Sequence, residues 1–588
     1  MYLRTSKRAN GRTHLSIVHG YRKEDGKTTT KTMMSCGYLD ELEKEYDDPI
    51  AHFTELAERM TAEHRAASAP AAIEIHPAQK VDKRDGAGRR NAGCAVPLAF
   101  YNRLGIEKVL RNRQGRLKIG YDLNAVARLL VVDRLLFQGS KLAAWTSRDR
   151  YFFRTEFSEH DVYRALDHLA AARDSVVSAA NRSIEAMGGR DCSQVFYDVT
   201  NYYFERDPDD DPEGLVANGV CKEGRPNPIV QMGLLQDADA VPISYRLHRG
   251  NTADCDTMMP ALADMKRDLG ISGVTAVADK GLNCSRNMAA LAASGDYFVF
   301  SQSIRGTKSA AGVRARALDP QGYEVTCDEA GEPEFMRKSW QGFKTVHLKA
   351  DGTADGKARD VEIECKFVAF WSRKYEARAR AQREKVLEKS RQLVENPGKY
   401  TKATHYGAAR YVKGVAFDKK TGEVVESGTK PELDCEAIAE AEACDGYYLI
   451  VTNHTDWDDS RIIDTYRGLW QIEETFKVTK SELEARPVFV WDDVHVQAHF
   501  LICYVALVIT RLIQRELGRD GERPSAGAIL GDLAQVECSR LEGNWWLFDH
   551  RTDLTDRLFA LIGEEAPHKY MATGEISALM KKKRPKAS

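Results

Sequence analysis

The sequence predicts an α/β protein built on one mixed sheet, and three observations carry that reading. Strand-type runs CSQVFYDVTNYYF (192–204), IVQMGLLQD and VPISYRLHR (229–249) follow one another with no helix between them. Two short strands, VTAVAD (274–279) and YFVFSQ (297–302), then alternate with the helical stretches TADCDTMMPALADMKRDLG (252–270) and RNMAALAAS. The order β-β-β-α-β-α-β calls for three antiparallel strands leading into parallel ones, because a crossover between parallel strands needs a helix.

The other elements follow in chain order. Residues 1–40 read as a small β unit: HLSIVHGY partly alternates, EDGK is a turn and TTTKTMMSCGYL returns as a strand. Residues 41–94 begin helical and loosen into AASAPAA and the linker-like DKRDGAGRRNAG (82–93). Residues 95–190 have helical apolar spacing, with Ser158 as an N-cap. The sheet domain opens at 191–304, with Ser285 capping a helix. Residues 305–445 read as a β-rich insertion carrying one charged helix from Ser372. Residues 446–495 return as YYLIVTN and a helix from about 459. Residues 496–588 read as mostly helical with a basic tail. The apolar run HFLICYVALVIT (499–510) is too short to span a bilayer and reads as a buried helix.

A chain of 588 residues is too long for one core and suggests roughly three or four domains. A hydrophobic content of 43% and a charged content of 29% are those of an ordinary folded protein. MYLRTSKRANGR lacks an apolar leader core, which implies the cytoplasm and no membrane. None of the 12 cysteines forms a CxxC pair, which argues against a disulfide framework or structural zinc. His495 and His499 stand at i, i+4 without an HExxH, and packing and surface roles suit them better than metal. Net charge is −2, but basic residues cluster. Residues 1–31 hold eight Lys or Arg against two acids, 103–118 six against one, 373–391 eight against three, and KKKRPK (581–586) five in six. Such runs in a neutral protein point to a polyanion, most simply nucleic acid.

Three acids stand where apolar residues belong. Asp198 lies inside an apolar strand, with Phe196 and Thr200 on its face. Asp279 ends VTAVAD before a Gly turn. Glu473 shares a helical stripe with Ile462, Ile463, Tyr466, Leu469, Trp470 and Phe476. Each also has a structural reading: a turn cap for Asp279, a buried backbone partner for Asp198, an i, i+4 pair with Lys477 for Glu473. Taken together, two carboxylates at adjacent strand ends and one on a helix against that sheet can converge. Hard divalent cations, Mg²⁺ or Mn²⁺, would relieve their repulsion, and two such ions support phosphodiester chemistry.

These residues resemble the DDE transposases of bacterial insertion sequences, in the IS-four superfamily and its IS-sixteen-thirty-four branch. The motifs are YDVTNYYFE (197–205) with CKEGRPNPIVQMGLL (221–235) and RGNTADCD (249–256), then VADKGLNCSRN (277–287), then YRGLWQIEETFKVTK (466–480). The last matches the pattern Tyr, two residues, Arg, three, Glu, six, Lys at Tyr466, Glu473 and Lys480, but Leu469 occupies the Arg position. The resemblance covers roughly 150 to 510 and implies a ribonuclease H-like core. It implies Asp198, Asp279 and Glu473 as catalytic metal ligands for two Mg²⁺ (or Mn²⁺) ions per site. It implies Tyr466 and Lys480 as contacts beside the scissile phosphate; Arg467, Lys477, Lys222 and Arg225 are added here as DNA contacts. The reaction implied is cleavage at the ends of a mobile element and joining of the freed 3′-hydroxyls to target DNA. Its partners are double-stranded DNA, as terminal inverted repeats and target, and a second copy of the chain in a dimer on DNA. Residues 95–190 are expected to bind the DNA ends. Trp340 and Trp371, in the insertion, suit packing better than holding a flipped base. A ribonuclease H-like nuclease that cuts without joining, and an inactive transposase that only binds DNA, remain as alternatives.

Overall fold

The computed structural model describes residues 1–8, 11–22, 28–66, 78, 88–205, 214–219, 227–305, 311–348, 357–396, 407–414, 416–417, 424–425, 430–486, 488, 490, 492–519, 521–541 and 543–581. The chain forms two compact units, residues 1–82 and 83–588. In the first, three strands, β1 (Tyr2–Lys7), β2 (Thr13–Arg22) and β3 (Thr28–Tyr38), make an antiparallel sheet. The helix Pro49–Ala66 packs against β1, so the small β unit does not stop at residue 40. Its core is small and centres on Leu15, Leu42 and Phe53.

The second unit opens with β4 (Arg89–Asn91), in a stretch read from composition as linker. Its Gly and Arg content suggested a loop, but Arg89, Arg90 and Asn91 pair antiparallel with Ser539, Cys538 and Glu537. With Trp545–Phe548 and Tyr570–Ala572 this makes a four-stranded sheet. The C-terminal region is thus less purely helical than its sequence suggested; these strands are only three or four residues long, too short for a clear alternating pattern.

A nine-stranded sheet dominates the unit. Its strands are β5 (Gln194–Tyr203), β6 (Ile229–Gln236), β7 (Pro242–Arg249), β8 (Thr275–Ala278), β9 (Tyr297–Ser301), β10 (Glu324–Cys327), β11 (Pro333–Leu348), β12 (Arg359–Ser372) and Tyr447–Thr452. Across one half the order is β7-β6-β5-β8-β9. β5, β6 and β7 pair antiparallel, while β5, β8 and β9 run parallel, which is the order the sequence implied. The helices Met258–Leu269 and Ser285–Ala293 make the crossovers. Ser285 is the first residue of its helix and Cys284 the cap, one position off the expectation. Ser158 caps its helix in a reciprocal capping box with Asp161.

The insertion continues this sheet. β12 pairs with Tyr447–Thr452, which pairs antiparallel with β9. Two buried layers sandwich the core half. One holds Phe196, Tyr202, Leu234 and Tyr245; the other holds Val195, Tyr197, Val199 and Leu262. The apolar run at 499–510 extends into a 27-residue helix, Asp493–Arg519, longer than expected. By length and composition it could cross a membrane, yet it lies almost wholly inside the protein.

Candidate active site

Asp198 sits midway along β5 on the Phe196 side, because side chains alternate along a strand. It faces Leu234 of β6 in register, is half-buried, and its Oδ1 accepts the Val199 N–H at 2.7 Å. On the other side β5 pairs in parallel with β8, through Phe196 opposite Val277. Continued by two residues, that register sets Asp198 beside Asp279, about one strand spacing (~4.8 Å) away. Gly233 of β6 lets this region pack, since a Cβ there would come 2.1 Å from the Tyr197 hydroxyl.

Asp279 follows the last residue of β8 and is exposed. Its carbonyl accepts the Leu282 N–H, closing the turn the Gly had signalled. The Tyr466 hydroxyl donates to Asp279 Oδ1 at 3.4 Å. Burial, and then the Asp279 charge, push the Tyr466 phenol above its ordinary range. It therefore stays protonated and remains a donor at any working pH.

The helix expected to run unbroken from about 459 is interrupted. Asp459–Arg467, capped by the Asp458 carboxylate, ends at Gly468. A second helix, Trp470–Lys477, starts after Leu469 and runs into a π-helical turn, Val478–Glu482. The break is pressed onto the sheet: a Cβ on Gly468 would lie 2.7 Å from Phe196 Cζ, two residues from Asp198. Helical phase is reset there, so a stripe counted across the break misassigns the second segment. The buried residues from Leu469 to Thr479 are Leu469, Ile472, Thr475, Phe476, Val478 and Thr479. Trp470, expected in the core, is 59% exposed. Glu473 is exposed on the flank of the true stripe, not inside it. Its helix packs against β5, the strand of Asp198.

The basic residues divide. Lys477 is exposed, and Lys480, in the π turn, holds its Nζ 5.6 Å from the centre of the buried Tyr202 ring. Arg467 turns to the insertion: its guanidinium lies 5.3 Å from the Phe335 ring and 5.9 Å from the Phe370 ring, with Asp464 at 3.6 Å. Leu469, at the family's Arg position, is buried. Lys222 and Arg225 lie outside the described residues. Trp340 stacks on Phe367 at 5.5 Å, a packing role.

Among the described residues, no group of three or more His, Cys, Asp or Glu stands together ready to hold an ion. β5 and β8 pair in parallel up to Phe196 and Val277, two residues before Asp198 and Asp279, and the Glu473 helix packs on β5. The donor set, three carboxylates, is the hard-oxygen chemistry that suits Mg²⁺ or Mn²⁺.

Sequence reasoning missed the residues that hold this helix. Arg511, its side chain 1% exposed, donates to Thr475 Oγ1 at 2.7 Å and pairs with Glu474 at 3.5 Å. Thr475 in turn donates to Gln236 at the end of β6 at 3.0 Å. Arg134 donates to the carbonyls of Gln138, Gly139, Leu483 and Glu484, between 2.9 and 3.3 Å, just past Lys480. Lys141 Nζ donates to His499 Nδ1 at 2.7 Å, which leaves His499 Nε2–H to donate to the Ala485 carbonyl at 3.1 Å. His495 pairs instead with Asp167 at 3.2 Å, so the two histidines share no ligand role. The available signal was an Arg inside each of the apolar runs VALVITRLI and LLVVDRLLF, since buried Arg is rare unless paired.

Residues 3–71 match the family model described as IS1634 family transposase, N-terminal domain, and residues 228–509 match the model of the transposase DDE domain. The second match spans Asp279 and Glu473 and begins after Asp198. One similar solved structure is a piggyBac transposase in a synaptic complex with hairpin DNA, determined by cryo-EM. It is 8% identical with a TM-score of 0.37, covering 76% of this chain and 79% of that one. No curated protein matches the chain.

Proposed function

The chain is a DDE transposase of the IS1634 family, and from that premise we propose that Asp198, Asp279 and Glu473 are the acidic ligands of its DNA-cleaving site. The observation that supports this is the parallel pairing of β5 and β8 up to Phe196 and Val277, two residues before Asp198 and Asp279, with the Glu473 helix packed on β5. The order β7-β6-β5-β8-β9 supports a ribonuclease H-like core. Two Mg²⁺ or Mn²⁺ ions, when bound, would neutralise the carboxylates and lower the barrier to in-line attack at phosphorus.

The chain's own residues do the rest. Asp198 and Asp279 present oxygens from rigid strands. Tyr466 orients Asp279 by donating a proton it does not release. Lys480 and Lys477 meet DNA phosphates beside the cut, and Arg467, engaged with the insertion, is a weaker contact. The first step is hydrolysis that frees a 3′-hydroxyl, and the second is attack of that hydroxyl on target DNA. Both are the same displacement, so one set of ligands serves both. Holding two ends together requires a dimer on DNA, and work on chromosomal DNA places the chain in the cytoplasm.

The test is cleavage of a labelled duplex carrying the element's own end, with Mg²⁺ or Mn²⁺. Wild type is expected to nick, and Glu473→Gln to fall to background while binding the duplex as wild type does. Equal cleavage by both would remove Glu473 from the site. Nicking without any joined product would instead favour a nuclease that does not join.

A further inference from the structure

The four basic runs have different fates in the fold. Arg12 of the first is held by Asp40 and Glu41. In the third, Arg380, Arg383 and Arg391 pair with Glu376, Asp445 and Glu388. The tail from residue 582 lies outside the described residues. The second run, 103–118, enters a recess of about 830 Å³ at the free edge of the nine-stranded sheet. Helices Ile106–Leu117, Arg173–Ala186 and Met258–Leu269 wall it, and Ser244, Tyr245 and Arg246 of β7 complete the lining.

Six arginines and three aspartates line the recess. The aspartates are already taken: Asp174 by Arg173 at 2.5 Å, and Asp264 by Arg246 at 3.1 Å and Arg267 at 3.0 Å, with Arg267 also 3.3 Å from Asp268. That leaves Arg113, Arg116 and Arg182 with no acidic partner among the described residues. Arg182 donates only to its neighbour Ser178, and Arg113 Nε is buried without a hydrogen-bond partner. Arg116 and Arg182 are exposed and Arg113 is half-buried, so their guanidinium groups are the open charges of the recess, suited to charge-assisted bonds with phosphate oxygens. The Arg113 charge also helps burial hold the nearby His168 imidazole below its ordinary range, so the local field is positive.

The recess is also connected to the acids. Tyr245 pairs with Leu234, and Leu234 pairs with Asp198. Tyr245, at the floor of the recess, therefore lies on the same sheet row as Asp198, two strand spacings or roughly 10 Å away, with buried Leu234 between them, and the arginines stand beyond it at the sheet edge.

We propose that this recess is a sequence-independent cradle for the DNA backbone, with Arg113, Arg116 and Arg182 each taking a phosphate a few nucleotides from the cut. The proposal rests on the reading of Asp198 as part of the cleaving site. It assigns to residues 95–190 a backbone contact beside the cut, in addition to recognition of the element's ends.

The test is equilibrium binding of a random-sequence labelled duplex across a salt series. It compares wild type with Arg113→Gln, Arg116→Gln and Arg182→Gln, singly and combined, each checked by thermal melt. Gln keeps helix propensity at these exposed or half-buried positions. Each substitution is expected to make the slope of log K against log[salt] shallower by about one unit, the triple by about three, equally on any sequence. An unchanged slope in folded single variants would overturn the cradle. Loss confined to the element's own end would overturn it too, in favour of base-specific recognition. Glu473→Gln runs alongside. If it still cleaves, the acid site fails while the slopes still judge the recess; if it is dead and the slopes are unchanged, the recess alone fails.

Discussion

The two halves of the large sheet are built differently. In the core half every residue of β6 is buried, and both faces are covered by helices and core clusters. In the insertion half all four residues of β10 are exposed and β11 is mostly exposed or half-buried, its buried residues being Lys338, Val346 and Leu348, while β12 contributes deeply buried positions such as Phe367 and Val368. The sequences say the same: IVQMGLLQ is near-continuously apolar, whereas PEFMRKSWQGFKTVHL mixes charge with aromatics. The strand that carries Asp198 and the strand that ends at Asp279 are fixed by that double cover, while the carboxylates themselves reach its rim, Asp198 half-buried and Asp279 exposed. Residues in the second can change with little effect on the fold. The short edge strand β10 also limits unwanted pairing at that end.

The sharpest way to break this contrast is through Arg511, which ties the covered half to the Glu473 helix. Arg511→Ala strands Glu474 and removes the donor to Thr475. The expected loss is roughly 3 kcal/mol, the low end for breaking a buried pair, because Glu474 keeps 34% of its side chain in solvent. Urea unfolding measures it. Cleavage by the folded fraction should fall as well, since the Glu473 helix loses its polar tie to the buried helix Asp493–Arg519. Unchanged stability would mean that the helix is held by apolar packing alone.

Much of the core half was legible from sequence because its signals were local. Strand order followed from apolar runs and the helices between them, and Asp198 and Asp279 stood out as acids inside those runs. What sequence could not give was phase and partnership. Gly468 resets the helix against Phe196, a contact between distant segments, so Trp470 was assigned to the core and Glu473 to its stripe. Arg89–Asn91 became a strand only because Glu537–Arg540, more than four hundred residues later, offered it an edge. Arg134, Lys141 and Arg511 act through backbone carbonyls and side chains far along the chain, which no spacing rule reveals.

A second effect, read as a slope, concerns Lys141. Burial, and then the Arg134 charge, pull its ammonium from the ordinary 10.5 down to about 7. Between these values the unfolded chain holds a proton that the folded chain does not. Stability from this group therefore rises as pH climbs from 7 and is lost as pH falls toward 7. Buried thiols at Cys94 and Cys503 are held above the ordinary 9.0 and oppose folding at higher pH, and Lys344, pulled by burial to about 8, adds a rise of its own, so the window that isolates Lys141 is pH 7 to about 8. Tm should rise with pH there more steeply in wild type than in Lys141→Met. A slope shared by both would assign the titration elsewhere.

The smallest effect belongs to the insertion. Phe343 on β11 is 68% exposed, opposite Glu364 in register. Its ring buries little, so Phe343→Ser should change stability by no more than about 0.5 kcal/mol. Cleavage should also be unchanged, because the Phe343 side chain is mostly in solvent, even though β11 itself touches the helices Ser285–Ala293 and Asp459–Arg467. A denaturation midpoint and a cleavage rate within error of wild type would support the contrast between the halves. A large loss of stability would mean that this strand face is covered by something, and an exposed aromatic on a β-rich insertion would then mark a contact surface rather than a tolerant edge.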